Sequence, residues 1–283
     1  MLTIFTIPKP FRGNIDVIQR NAIKSWLRLY PKCEVILFGD DEGVAEAAKE
    51  FNIVHIPKIE KTELGTPLLS SAIDSAQKIA KNEILLFINA DIILTSDLIP
   101  AVQKVKNPLF LISGQRWDVD VNKEIDFNDS DWEKKIREQI KETGKLHGPT
   151  GMDYCIFPRN FPSVIQMPAL AVGRPGWDNW LIYRTRFLKI PVINATEVIT
   201  IIHQNHDYSH SPWGRKKKVV GPEYERNIKL AGGFAKMMTM MDADWMLTKK
   251  GLEKPNFPRR IFSTISLFYP WRLILALKRQ LLS

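Results

Sequence analysis

The chain has 283 residues, 45% hydrophobic and 25% charged. This suits one large domain or a domain with an appendage, and it excludes a disordered or fibrous protein. The net charge of +9 is concentrated at one end. Residues 249–283 hold eight Lys and Arg against Glu253, a net +7, so the body is nearly neutral and lacks the basic face of a nucleic-acid binder.

Residues 3–7 read as a strand that opens the chain directly. There is no basic n-region or cleavage site, so no signal peptide is expected. Two cysteines, Cys33 and Cys155, supply no disulfide framework and point to a reducing, cytoplasmic compartment. Pro8 ends the strand. Asn14 can cap a helix with apolar positions Ile15, Ile18, Ala22, Trp26 and Leu29, stopped by Pro31. A strand over 34–38 ends in Gly39-Asp40-Asp41. A short helix around 44–51 and a strand over 53–56 follow. Thr66-Pro67 reads as N-cap and first position of a helix to residue 79, with Leu69, Ala72, Ile73, Ala76 and Ile79 as its buried stripe. Residues 83–88 form an apolar strand that delivers Asn89-Ala90-Asp91 to its carboxyl end, and residues 109–113 form a further strand. Repeated strand–helix units predict an α/β, Rossmann-like fold: a mixed, mainly parallel sheet with helices on both faces.

The remainder is less regular. Ser130-Asp131-Trp132-Glu133 reads as a capping box opening a polar helix to about residue 143. A Gly/Pro-rich stretch over 147–154 follows. Pro175-Gly176-Trp177-Asp178 leads into an aromatic-rich helix over 179–188, and residues 190–194 and 198–202 read as short strands. The pattern divides the chain into a domain over 1–248 and a basic amphipathic tail over 249–283. The uncharged run 261–271 is shorter than the roughly 20 apolar residues a membrane span needs. Aromatics flanked by Lys and Arg suit an anionic membrane interface; a helix docked on the body or on a partner subunit is the alternative.

Open α/β sheets bind ligands at the carboxyl ends of their strands. Thr6, Pro8, Asp40, Asn89 and Ala90 fall at or beside those ends, so a nucleotide laid across the edge would meet them. Asp40-Asp41 also reads as an ordinary turn, more so for Asp41. Ser70 lies on the helix over 66–79, whose N-terminus can face an anion. A carboxylate at Asp91 can hold a hard divalent cation. Three of the five histidines, His203, His206 and His210, crowd into eight residues; His203 follows an apolar strand and could complete that site. Oxygen ligands favour Mg²⁺ or Mn²⁺, and an imidazole shifts the choice towards Mn²⁺. Asp178 opens a helix, where it could cap or act as a base; Asp153 is the rival carboxylate. Arg174 could hold a phosphate through its planar fork or form a structural ion pair.

Together these segments resemble the glycosyltransferases of the GT-A fold. Asn89-Ala90-Asp91 is similar to their D-x-D motif with Asn in the first place. The resemblance implies that Asp91 coordinates the metal and Asn89 contacts the nucleotide, while His203 resembles their late metal ligand. Segments 151–159, 173–180 and 202–210, in that order, resemble a bacterial group of sugar transferases, and the likeness covers about residues 1–240. The resemblance implies a metal-dependent transfer, in polysaccharide biosynthesis, from a nucleotide-diphosphate sugar, UDP-linked, to a hydroxyl of a glycan or lipid-linked acceptor. Asp178 would be the general base of an inverting displacement and Asp153 would hold hydroxyls, with the two roles exchangeable. Arg174, Trp177, Asn179 and His206 would contact donor or acceptor, and a basic loop over 209–219 would close over the diphosphate. The expected location is cytoplasmic, peripheral at the inner face of the membrane, with no nucleic-acid partner. Two other readings stand. A nucleotidyltransferase would carry a Gly-rich, basic loop after the first strand, which residues 8–13 match poorly. A non-catalytic carbohydrate-binding or scaffold protein could share the fold.

Overall fold

A computed structural model describes residues 2–121, 123–206 and 221–256. In chain order the elements are β1 (Leu2–Thr6), α1 (Gly13–Leu27), β2 (Glu34–Phe38), α2 (Val44–Glu50), β3 (Val54–Ile56), α3 (Leu69–Ile79), β4 (Ile84–Ile88) and β5 (Ile92–Leu94). Then come α4 (Leu98–Gln103), β6 (Leu111–Ser113), β7 (Trp117–Val119), α5 (Trp132–Thr143), β8 (Lys145–Leu146), β9 (Tyr154–Pro158), α6 (Phe161–Ile165) and α7 (Trp177–Phe187). The last are β10 (Val192–Asn194), β11 (Ile201–Gln204), α8 (Pro222–Leu230), β12 (Trp245–Thr248) and β13 (Gly251–Glu253).

The main sheet runs β13-β12-β10-β6-β9-β4-β1-β2-β3. Its β3-β2-β1-β4 half is parallel; β9 is inserted antiparallel between β4 and β6. Both faces of the central strands are apolar, as burial under two helical layers requires. Ile4, Leu37, Leu86 and Ile156 point into one core with Ala22, Ile23 and Trp26 of α1. Their neighbours Phe5, Phe38, Phe87 and Phe157 point the other way, into a core with Leu69 and Ala72 of α3 and Leu181 of α7. Each such side chain contributes roughly 1.5–3 kcal/mol on burial. A second sheet, β5-β11-β7-β8, stands beside the first.

Several local expectations are corrected. The helix α3 starts at Leu69, not Thr66. Residues 60–68 fold back on themselves instead, with Thr62 N bonded to Thr66 O and Leu68 N to Glu60 O. The Thr66 hydroxyl is drawn to Glu223 rather than to the helix end. Asn14 does not cap α1, which begins at Gly13. The Ser130 capping box does not form either: α5 is preceded by Asp131, and Glu133 is taken by Ser96 and Arg137. The strand expected over 198–202 lies later, at β11, because residues 195–199 form a turn closed by Val198 N and Ile199 N on Ala195 O. His203 therefore sits within a strand, not after one. The basic loop over 209–219 and the tail beyond residue 256, together with His210, lie outside the described residues.

Candidate functional site

Parallel β1, β2 and β4 bring residues 7–10, Asp41 and Asn89-Ala90-Asp91 to one edge. There they line a cleft of about 290 Å³ with Arg116, Asp153, Gly173, Arg174, His203 and His206. The cleft opens where a mainly parallel sheet presents its carboxyl ends.

Asp91 is held by its backbone. Ile92 N bonds to Asn89 O at 3.2 Å, forming the turn out of β4. Its carbonyl oxygen accepts from both the amide and the side-chain Nε2 of Gln204, each at 3.2 Å. Gln204 is fully buried and is fixed in turn by Asn21 Nδ2 at 3.0 Å and by Ile18 O at 2.8 Å, so α1 and β11 together grip the turn.

The Asp91 carboxylate faces two imidazoles. Its Oδ2 lies 3.2 Å from His206 Nε2 and 3.8 Å from His203 Nε2. One ligand atom from each of the three lies within 4.8 Å of the others, a span that a single cation with bonds of about 2.2 Å can bridge. The other oxygen, Asp91 Oδ1, is buried without a hydrogen-bond partner among the described residues, a costly state for a carboxylate unless a cation completes it. Burial opposes ionisation of Asp91. The His206 hydrogen bond and the charges of His203 and Lys9 outweigh it and hold the carboxyl well below the usual range. These residues fit a divalent metal ion.

Behind His203 stands a layer of charged groups. Asp118 on β7 is the register partner of His203 on β11. Its Oδ1 lies 3.1 Å from His203 Nδ1, which is buried and off the hydrogen-bond axis. Asp118 also accepts from Arg116 Nε at 2.8 Å and from His147 Nδ1 at 2.9 Å. Burial works against its charge, and His203, His147 and Arg116 prevail, keeping the carboxyl well below its ordinary value. Arg116 NH1 reaches Asp153 Oδ2 at 2.5 Å, and Asn89 Nδ2 donates to Asp153 Oδ1 at 2.8 Å. Lys9 also lines the cleft, its backbone clipped to Gln19 by two hydrogen bonds of 2.7 and 2.9 Å. Burial pushes its amine below the ordinary value, and the Asp91 charge opposes that shift.

Asp178 opens α7. Gly176, with φ +112°, precedes it in a left-handed turn that glycine alone enters readily. Asp178 is buried, accepts from Met152 N at 3.2 Å and does not line the cleft itself. Burial pushes its carboxyl up to about 6; the amides of Asn179 and Met152 oppose this and the charge of Asp153 adds to it.

The cleft thus brings together Pro8, Asn89, Ala90, Asp91, Asp153, Arg174, His203 and His206 of the residues expected from sequence. His206 lines the cleft and also joins Asp91 and His203 in the group that could hold a cation. Asp40 points away in an exposed ion pair with Lys61 at 2.6 Å, and its neighbour Asp41 lines the cleft instead. Ser70 is not on the wall, and Thr6 is fully buried, its Oγ1 without a hydrogen-bond partner among the described residues. Trp177 packs edge-on against Phe87, 5.5 Å between ring centres, and Asn179 ties α7 to Met238 O at 2.7 Å, so both serve packing. Arg174 is ion-paired to Glu223 at 2.9 Å, although it also lines the cleft. Sequence reasoning missed Lys9, Asp41, Arg116, Asp118 and His147. The alternation of charge through Arg116-Trp117-Asp118-Val119-Asp120 was the available signal for two of them.

No family model matches the sequence, and no curated protein does. Solved structures do. A mannosyltransferase from Pyrobaculum calidifontis, in complex with GDP-Man and Mn²⁺, matches at 14% identity over 98% of this chain and 73% of its own, with a TM-score of 0.52. S. aureus TarS 1-349, in complex with UDP, matches at 12% identity over 82% of this chain and 64% of its own, with a TM-score of 0.50. The chain has the GT-A glycosyltransferase fold. In that fold the Asp91 edge of the GT-A sheet is the edge described above, where the cleft and the cation cluster coincide.

Proposed function

We propose that this protein is a metal-dependent glycosyltransferase that moves a sugar from a nucleotide-diphosphate donor, UDP-linked, to a hydroxyl of a glycan or lipid-linked acceptor. The observation that carries this reading is the Asp91–His203–His206 cluster on a cleft at the carboxyl edge of a GT-A sheet. The solved neighbours hold GDP-Man with Mn²⁺ in one case and UDP in another.

Asp91, His203 and His206 would hold a divalent cation, which would supply positive charge against the leaving nucleoside diphosphate. Two imidazoles and one carboxylate favour Mn²⁺ over Mg²⁺. Lys9, on the same wall, adds a fixed cation, and Asn89 and Asp41 are placed to accept or donate to the nucleotide. Asp178 is assigned as the general base. Its carboxyl, raised to about 6, is matched to accepting a proton near neutral pH, and backbone amides, Met152 N among them, hold it in place. Asp153 is committed to Arg116 and Asn89 and orients substrate hydroxyls from the cleft wall. The basic tail over 249–283 holds the enzyme at an anionic membrane surface.

The test is release of the free nucleoside diphosphate from a panel of UDP-, GDP-, CDP- and dTDP-sugars with Mn²⁺, alone and with hydroxyl acceptors. One donor class is expected to turn over, with Asp178→Asn slower by about 10²- to 10⁴-fold. Binding of a nucleotide without turnover of any donor would move the protein to the non-catalytic reading.

A further inference from the structure

His203 can bind a cation through Nε2 only if its proton resides on Nδ1, and nothing on β11 itself decides that. A neutral imidazole carries one proton, and the acceptor facing the other nitrogen selects the tautomer. The group facing Nδ1 is Asp118 Oδ1, 3.1 Å away. Asp118 stands there because β7 and β11 pair in parallel with Asp118 opposite His203, so their side chains share one face of the small sheet. His203 is 6% exposed, and among the described residues its buried Nδ1 has no completed hydrogen bond; Asp118 Oδ1, close but off the hydrogen-bond axis, is the acceptor in reach.

Asp118 is itself fixed from two further directions. Arg116 Nε bonds the same oxygen that faces His203, at 2.8 Å, and His147 Nδ1 bonds the other at 2.9 Å. His147 is anchored through its backbone: His147 N donates to Arg116 O at 2.8 Å, and Gln115 Nε2 donates to His147 O at 2.5 Å. The remaining reach of Arg116 goes to Asp153 Oδ2. One guanidinium therefore spans the carboxylate behind the cation cluster and the carboxylate on the cleft wall.

We propose that Asp118 is the positioning residue of the cation site, fixing the Nδ1–H tautomer and ring orientation of His203, and that Arg116 locks Asp118 in place while tying it to Asp153. The proposal rests on the cation site assigned above, but its first consequence is a property of the metal-free protein. Carboxylates behind metal-bound histidines act in this way, and their loss weakens metal binding by about 10- to 100-fold.

The experiment uses the full chain, labelled with ¹⁵N, and its Asp118→Ala and Asp118→Asn variants. In metal-free protein the ¹⁵N shifts of the His203 ring report its tautomer. The wild type is expected to show Nδ1–H. Asp118→Ala is expected to lose that preference while circular dichroism and the other backbone resonances stay unchanged. Calorimetric titration with Mn²⁺ is expected to show about 10- to 100-fold weaker binding for Asp118→Ala, with Asp118→Asn in between because its amide oxygen still accepts. Wild-type tautomer and wild-type Mn²⁺ affinity in Asp118→Ala would overturn the proposal. A wild type that binds no Mn²⁺ yet shows an Asp118-dependent tautomer would refute the cation reading and leave the positioning role standing.

Discussion

The group under greatest tension in the cleft region is Asp178. Its carboxyl ionises near 4 in an unfolded chain and near 6 here, because burial disfavours the charge. Between those values the folded chain binds more protons than the unfolded one, so stability falls as pH rises through the window. Above about 6 the whole cost is present, on the order of 3 kcal/mol. Asp178→Asn keeps an acceptor for Met152 N and removes the charge. The variant is therefore expected to melt higher than wild type at pH 8 and at the same temperature near pH 4; equal melting curves at pH 8 would remove the argument for a strained base. In activity, kcat/KM is expected to fall on the acid side of about pH 6. His206 yields a second expectation. His206→Ala should weaken Mn²⁺ binding by titration calorimetry, and it should narrow the preference for Mn²⁺ over Mg²⁺, because an imidazole is what distinguishes the two. Asp91 was legible in the sequence because an acid directly after an apolar strand has one place to go. His206 was expected to contact donor or acceptor, but its place beside Asp91 was not legible, since it lies past the end of β11 where no local period fixes a side chain. Asp118 lies in a strand of three residues with Arg116 just before it, so their charge alternation was too brief to mark a strand.

At the level of elements, the site depends on how α1 and β11 hold the turn after β4. Gln204→Ala removes three buried side-chain hydrogen bonds, those with Asn21 Nδ2, Ile18 O and Asp91 O, while Asn21 Nδ2 keeps Lys123 O and the Asp91 carbonyl keeps the amide of residue 204. Each lost bond is worth about 0.5–1.5 kcal/mol net, so a loss of about 2 kcal/mol in urea unfolding is expected, along with weaker Mn²⁺ binding. Retained stability would mean that α1 is not a support of the site. A second fastening joins α8 to the far wall. Buried Glu223 accepts from Thr62 Oγ1 at 2.6 Å, Thr66 Oγ1 at 2.8 Å and Arg174 Nε at 2.9 Å. Both features explain what the sequence concealed. Thr66 looked like a helix cap because Thr-Pro before an apolar stripe usually is one. Its hydroxyl instead meets a carboxylate 157 residues away, and no local pattern encodes that. Strand β9 was hidden by the Gly/Pro-rich segment before it, although it is fully buried between β4 and β6 and sets Asp153 on the wall. The helices of the first half were readable because their apolar stripes recur at helical spacing against a sheet that buries both faces.

Over the whole molecule, the order of strands and helices in residues 2–113 carried the fold, since apolar strands alternating with amphipathic helices leave few arrangements other than a parallel sheet with two covered faces. The small sheet was not readable, because β7 and β8 are short and pair with strands far away in sequence. No helix among the described residues is long and apolar enough to cross a membrane. Charge is instead segregated at the end of the chain, and a protein ending at residue 256 is expected to lose binding to anionic vesicles while its nucleotide binding persists; unchanged vesicle binding would remove the tail from that role. The central claim is that one cleft binds a nucleoside diphosphate through a cation held by Asp91, and a single measurement addresses it. Thermal unfolding of wild type and Asp91→Ala is followed with UDP, GDP, CDP or dTDP, with and without Mn²⁺. One diphosphate is expected to raise the melting temperature of the wild type only when Mn²⁺ is present, and to leave Asp91→Ala unmoved. No shift with any nucleotide, or an equal shift in the variant, would contradict the account.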